Sequence, residues 1–377
     1  MINNNKLLTE LTHALSANDT KTKEIQWQKV AELFPYSNEM KNCIQDSVYH
    51  AEGDVWTHIQ MIAQHVYDRG QATDVQLLTT LYHDVAKAKT REEIVQPDRV
   101  RVSHPYHSRL GAQMAWVDMW KYNIGDIATR LQVYKQIQWH QRSYHIWKHS
   151  DMIRSALSYG ADAPWSDLIE FSICDNLGRI SSHQDETVES LELLRMWLEE
   201  TGISNKQWYD SSSKIFYFEK DGRDHTYCAQ RPKGSRVIIM CGLPGSGKDT
   251  YIAEHFHNIP VISMDQIRIK LKIDHGDNQG PVIQTALEKA KEYLRKKESF
   301  VWNSTNLTKL ARGKVLALCR AYDAYTNIYV MGTDFQKTLA GNKTRNAMVP
   351  ETVIYGMLNK WEPVSRIEAH EVNWIVR

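Results

Sequence analysis

Gly242-Leu243-Pro244-Gly245-Ser246-Gly247-Lys248-Asp249-Thr250 is the stretch on which the reading of this chain turns. The apolar run before it, Val237 to Cys241, reads as a buried strand, and Tyr251 to Phe256 after it can continue as a helix. Strand, glycine-rich turn and helix together make the context of a phosphate-binding loop. The backbone of Gly242, Gly245, Ser246 and Gly247 would cradle phosphates, with Thr250 in the same loop. Lys248 would reach the β- and γ-phosphates, and the helix N-terminus adds partial positive charge. ATP or another NTP, with Mg²⁺, is the expected cofactor. One position is unusual: Asp249 stands where Ser or Thr normally holds the Mg²⁺.

Working outward, Ile259 to Ser263 reads as a second short strand and runs into Met264-Asp265-Gln266-Ile267-Arg268. Ile283 to Lys297 reads as a helix, Phe300 to Trp302 as a third strand ending at Asn303, Lys309 to Ala324 as a helix, and Asn327 to Gly332 as a fourth strand. Strands alternating with helices imply a parallel sheet with ligands at the strands' carboxyl ends. Upstream, the aromatic, alternating segment Lys214 to Cys228, broken by Asp221-Gly222, predicts a β-hairpin, and Arg231 to Ser235 a linker.

The first half has a different character. Of sixteen histidines, eleven precede residue 205, so its chemistry differs from that of the second half. Helical periodicity runs from Lys6 to about Met40 and then through Val55–Tyr67, Val75–Val85, Arg109–Tyr122, Ile127–His140, Trp165–Leu177 and Thr187–Leu198. The expected fold is multidomain: an all-α helical bundle, then an α/β domain with a parallel sheet. The expected boundaries are 1–44 for a helical N-terminal extension, 45–205 for the bundle, 206–233 for hairpin and linker, and 234–377 for the P-loop domain.

His58, His83-Asp84, His107, His140 and Asp175 fall mostly late in apolar helices. Neighbours on a helix diverge by about 100°, so His83 and Asp84 would share a metal only against the side of the helix between them. Imidazole plus carboxylate suits Mn, Fe, Co, Ni or Zn rather than Ca. Such an ion lowers the pKa of a bound water. Lys87, Arg99, Arg101 and Arg109 are candidates to pair with a substrate phosphate. The net charge of +1 leaves polyanion binding to local patches. Five scattered cysteines without a C-x-x-C pair fit a reducing cytoplasm. No secretory h-region follows Met1, and no apolar run approaches membrane-spanning length.

The order His58, His83-Asp84, Asp175 resembles the HD phosphohydrolase superfamily over residues 45 to 200. The matching stretches are Asp54-Val55-Trp56-Thr57-His58, Leu81-Tyr82-His83-Asp84-Val85-Ala86-Lys87, Tyr106-His107-Ser108-Arg109-Leu110-Gly111-Ala112 and Cys174-Asp175-Asn176-Leu177-Gly178-Arg179. The resemblance implies metal-dependent phosphoester hydrolysis, with His83 and Asp84 catalytic and His58, His83, Asp84 and Asp175 on one ion such as Mn²⁺, Ni²⁺ or Co²⁺. His107 and His140 go with a second ion; His104 and His145 compete with them for that place.

The second half resembles the P-loop kinases that include the phage polynucleotide kinase. The likeness makes Asp265 the general base for a 5′-hydroxyl and sets Arg268 on the neighbouring 3′-side phosphate. Leu339 to Pro350 is similar to that family's lid, whose arginine, here Arg345, clamps the ATP phosphates. Lys248 completes the catalytic group, and Asn303 stands where these kinases usually carry an aspartate. With Asp249 as Mg²⁺ ligand, the carboxylate has exchanged places across the pocket; the plainer alternative leaves Asn303 incidental. The two motif sets in one chain are similar to bacterial HD-domain/kinase fusions that heal RNA ends. That implies RNA or DNA ends and an NTP as substrates, a separate ligase as partner, no membrane and a cytoplasmic setting. Two alternatives are a nucleotide hydrolase joined to a small-molecule kinase, and an ATP-regulated hydrolase.

Overall fold

Acidic and hydroxyl side chains start many of the helices where apolar periodicity begins. A side-chain oxygen that accepts from a free N–H of the first turn fixes the point of entry. The computed structural model describes residues 4–274, 276–345 and 348–376. The chain divides into two compact units, Met1–Lys206 and Gln207–Arg377.

The first unit opens with α1 (Asn4–Ser16), α2 (Thr20–Leu33), capped by Asp19, and the short α3 (Ser37–Lys41). Asp54 caps α4 (Val55–Asp68) and Thr73 caps α5 (Asp74–Tyr82). A two-stranded antiparallel ribbon follows, β1 (Glu92–Val95) and β2 (Val100–Ser103), so the bundle is not purely helical as expected. Then come α6 (His107–Lys121), α7 (Ile127–Ser143), α8 (Met152–Gly160), α9 (Trp165–Leu177) and α10 (Gln184–Glu200). The N-terminal helices do more than extend the chain. Leu7, Leu11, Trp27, Val30 and Phe34 lie in one buried core with Trp56, Ile59, Leu78, Tyr82 and Ala115. Trp27 meets Trp56 edge to face at 5.8 Å, and Phe34 meets Tyr82 at 5.1 Å.

In the second unit, Lys214 to Phe218 is helical rather than a hairpin strand, within α11 (Ser211–Glu219). The Asp210 carboxylate accepts from Ser213 N–H at 2.7 Å, and this cap overrides the strand preference of the aromatics. Asp221-Gly222 then forms a turn with Gly222 at φ 75°. The sheet consists of β3 (Arg236–Cys241), β4 (Val261–Ser263), β5 (Phe300–Asn303), β6 (Tyr325–Met331) and β7 (Glu371–Ile375). Its order is β4-β5-β3-β6-β7, all parallel, with Val237 opposite Phe300 on one side and Thr326 on the other. The short, partly exposed β7 was not foreseen. Between the strands run α12 (Lys248–His255), α13 (Met264–Leu271), α14 (Gly280–Lys296), α15 (Lys309–Ala321), α16 (Phe335–Lys343) and α17 (Glu351–Asn359). Arg312 in α15 is fully buried; it pairs with Glu368 at 2.6 Å and donates to the carbonyls of Asn306, Leu307 and Glu362, which ties the last segment to the sheet. Among the described residues no helix is long and apolar enough to cross a membrane.

Phe34→Ala is expected to destabilise the helical unit by about 3–5 kcal/mol, the usual cost of emptying a buried aromatic site. Urea unfolding measures it; an unmoved midpoint would show that α2 stands outside the core.

Candidate active sites

Four imidazoles in the helical unit are each tied through Nδ1 to a backbone carbonyl. His58 Nδ1 meets Gly178 O at 3.0 Å, His83 Nδ1 meets Thr80 O at 2.9 Å, His107 Nδ1 meets His104 O at 2.6 Å, and His140 Nδ1 meets Ile137 O at 2.7 Å. A carbonyl can only accept, so this network assigns the proton of each ring to Nδ1 and leaves a lone pair on Nε2. All four Nε2 atoms turn toward the same two carboxylates.

His58 Nε2 is 3.0 Å from Asp175 Oδ1, and His83 Nε2 is 3.1 Å from Asp84 Oδ2. On the far side of Asp84, His107 Nε2 lies 3.4 Å and His140 Nε2 3.8 Å from Oδ1. His107 and His140 face one another through their Nε2 atoms at 3.2 Å. Two lone pairs at that distance repel unless a cation lies between them and the carboxylate. His83 Nε2 and both oxygens of Asp84 are buried without a hydrogen bond of good geometry. This donor set fits divalent transition metal ions. Asp84 stands between two groups of ligands, His58–His83–Asp84 and Asp84–His107–His140.

His83 is the C-cap of α5, with helical torsions and its N–H on Thr79 O at 2.8 Å, and Asp84 follows in a turn that ends the helix. The two stand at the end of the helix rather than within it, with His83 Nε2 3.1 Å from Asp84 Oδ2. Burial, helped by the charge of Lys87, lowers His107 to about 4 against the pull of Asp84. Burial likewise lowers His140 to about 3, so both are neutral ligands near pH 7. Burial would raise Asp84, but the adjoining His83 and the charge of Lys87 outweigh it and hold the carboxyl well below its usual range. Asp175 is held low against burial by Arg179 and His58.

The basic candidates separate. Lys87 is buried, 2.7 Å from Asp84 Oδ2 and 2.6 Å from Gln45 Oε1, and Arg99 is bound to Asp46 at 2.8 Å. Arg101 and Arg109 are exposed. His104 bonds the Lys87 carbonyl and His145 is exposed, so neither displaces His107 or His140.

Sequence reading missed the supports around the ligands. Asp175 Oδ2 accepts from Tyr144 at 2.7 Å and from Arg179 at 2.5 Å, which leaves Oδ1 for the cluster. Glu52, with a side chain only 1% exposed, places Oε1 3.1 Å from His58 Nδ1 and 2.7 Å from His50 Nδ1. Its Oε2 accepts from Ile180 N–H at 2.9 Å. The segment His50 to His58 held the signal: two carboxylates lie just upstream of the histidine.

In the second unit the P-loop joins β3 to α12. Gly245 and Gly247 take φ 81° and 88°, conformations that side chains with a Cβ rarely adopt. A Cβ on Gly245 would also fall 2.4 Å from Thr338 O and 2.5 Å from Asn342 N, because α16 lies directly on the loop. Gly242 at φ 152° leaves no room beside Ser246 and Met331, and Ser246 is buried in the turn. Lys248 Nζ donates to the carbonyls of Gly242 and Leu243 at 2.9 and 2.8 Å, and burial lowers its pKa to about 8.

A cavity of about 870 Å³ brings Gly245, Gly247, Lys248, Asp249, Thr250, Asp265, Arg268, Asn303 and Arg345 together. Ser263 Oγ caps α13, so the Asp265 carboxylate is not used as a cap. Asp265 instead accepts from Arg268 at 2.6 Å and from Arg345 at 3.0 Å. Asn303 Nδ2 donates to Asp249 Oδ1 at 2.6 Å, so the two atypical residues are direct partners. Arg345 follows the end of α16; Asn346 and Ala347 of the lid stretch lie outside the described residues.

Residues 237–364 match the protein-family model described as AAA domain. Among solved structures, a gluconokinase from Sinorhizobium meliloti 1021 is similar, with 18% identity and a TM-score of 0.27, covering 39% of this chain and 84% of that one. No curated protein matches. The family match and the torsions of the glycine loop give this unit a P-loop fold, whose loop suits the phosphates of a nucleoside triphosphate.

Glu52→Gln removes the charge behind His58 while keeping its shape. Divalent affinity of the helical unit is expected to fall about 10–100-fold, the usual effect of losing such a partner. Calorimetric titration with Mn²⁺ or Ni²⁺ reads it, and unchanged affinity would place Glu52 outside the site's electrostatics.

Proposed function

We propose that this chain is a bifunctional nucleic-acid end-healing enzyme. The P-loop unit would phosphorylate 5′-hydroxyl ends, and the helical unit would hydrolyse 2′,3′-cyclic, 2′- or 3′-phosphate ends, with RNA repair the natural setting. The observation that carries the reading is the inward-facing set of four imidazole lone pairs and two carboxylates in one unit, joined in the same chain to a P-loop with Asp265, Arg268 and Arg345 around its cavity.

In the kinase reaction the 5′-oxygen attacks the γ-phosphorus of ATP, its proton passes to Asp265, and ADP leaves. Lys248 and Arg345 neutralise the phosphates, and Arg268 holds the acceptor next to the base. Asp249, held by the Asn303 amide at 2.6 Å, would hold the Mg²⁺. In the helical unit His58, His83, Asp84 and Asp175 would hold one divalent ion and Asp84, His107 and His140 a second. Such an ion supplies Lewis acidity toward water and phosphate. Tyr144, Arg179 and Glu52 keep the ligands oriented.

A short RNA bearing a 5′-hydroxyl and a 2′,3′-cyclic phosphate, incubated with labelled ATP, Mg²⁺ and Mn²⁺, should be changed at both ends. His83→Ala is expected to abolish only the 3′-end reaction and Lys248→Ala only the 5′-end reaction; loss of both in either variant argues against independent sites. Phosphate transfer to RNA should weaken steeply with salt, whereas transfer to a nucleoside should not. A flat response would favour a small-molecule kinase.

Asp249→Ser should lose kinase activity, and adding Asn303→Asp should restore part of it. A double variant as dead as the single one would sink the idea that the carboxylate has exchanged sides.

A further inference from the structure

We infer that Tyr106 is a nucleobase-stacking platform at the helical unit's site, taking the terminal base of a single-stranded nucleic acid whose phosphate reaches the histidine–aspartate cluster. The inference rests on the functional reading above. Tyr106 directly precedes His107 and sits in the left-handed region, at φ 60° and ψ 8°. A bulky side chain there is strained, and strain of this kind gathers at functional sites.

Nothing in the fold accounts for a tyrosine at this position. The other non-glycine residues described at positive φ are Asn123, Asn306 and Asp323, of types that tolerate it, and Lys272 and Lys297, which end helices. Tyr106 occupies the N-cap of α6 yet makes no side-chain cap. The residue is 82% exposed, so packing does not offset the strain either. The left-handed turn itself has a use: it brings the His104 carbonyl to His107 Nδ1 at 2.6 Å. Glycine or asparagine would make that turn more easily, so it is the aromatic ring that needs explaining.

The residues near Tyr106 in the chain indicate its occupant. Arg109 in the first turn of α6 and Arg101 on β2 are exposed, with no ion pair among the described residues. An exposed aromatic with unpaired arginines close to it in the chain is the equipment with which proteins hold single-stranded nucleic acid. Every base offers a π-face for stacking, and the cations meet the backbone phosphates.

The test uses the full chain loaded with Mn²⁺ and two substrates: bis-p-nitrophenyl phosphate, which has no base, and a trinucleotide ending in a 2′,3′-cyclic phosphate. Tyr106→Ala is expected to raise KM for the trinucleotide about tenfold or more, and Tyr106→Trp to keep it near the native value. KM for the base-free ester should stay unchanged in both. Tyr106→Gly should raise KM for the trinucleotide as Ala does, yet give a higher thermal midpoint than Tyr106→Ala, because only glycine relaxes the turn. Equal effects of Tyr106→Ala on both substrates, or none on either, would overturn the stacking role while leaving the functional reading intact. A glycine variant no more stable than the alanine variant would remove the strain and overturn it too. A native protein that cleaves the base-free ester but not the trinucleotide would overturn the functional reading, and the stacking role with it.

Discussion

The histidine site depends on one repeated interaction, the Nδ1–H···O=C hydrogen bond that fixes an imidazole from behind. His58, His83, His107 and His140 each make it, to carbonyls of Gly178, Thr80, His104 and Ile137. With that proton committed, the only polar atom left to each ring is an Nε2 lone pair. The four Nε2 atoms and the oxygens of Asp84 and Asp175 then share one buried space, in which His58 Nε2 shares a hydrogen bond with Asp175 Oδ1 at 3.0 Å. Electron-pair donors collected in this way favour a cation. The lysine and arginine that touch the carboxylates, Lys87 on Asp84 and Arg179 on Asp175, supply positive charge from the rim.

The P-loop unit is governed by a different constraint, the close approach of backbone to backbone. Gly245 touches α16 at Thr338 and Asn342, and Gly341 of that helix returns the contact at the Gly245 carbonyl. No residue with a side chain fits at either position. The helix that leads to Arg345 is therefore seated on the loop that would hold the phosphates. The parallel sheet does the rest: β3, β4 and β5 end at Cys241, Ser263 and Asn303, so the segments that follow them converge at one end. That is why Asp249, in the first turn of α12, meets Asn303, the last residue of β5.

Much of this was legible in the residues. Alternating apolar runs and helical periods placed four strands and most helices, because buried segments must present one apolar face at the period of their own backbone. The same reasoning failed where local chemistry outweighed periodicity. Lys214 to Phe218 alternates like a strand, yet Asp210 caps it into a helix. The ribbon β1–β2 and the edge strand β7 carry little burial, so they left no apolar pattern to read. Tyr144 is a single polar residue among many, and no spacing rule marks it.

By itself, the sequence determined the two kinds of chemistry: a glycine loop whose torsions suit phosphate, and an ordered set of imidazoles and carboxylates suited to a cation. Those follow from residue type and local order. Only the tertiary structure decided which residues meet. It set Asp84 just past the end of α5 between His58–His83 and His107–His140, left His104 and His145 outside those groups, and brought Asn303 to Asp249. It also brought Glu52 behind His58 and Arg179 onto Asp175. The meetings of Asp84 with His107 and His140 and of Asn303 with Asp249 depend on packing between elements far apart in the chain, and a one-dimensional pattern carries no distance between them.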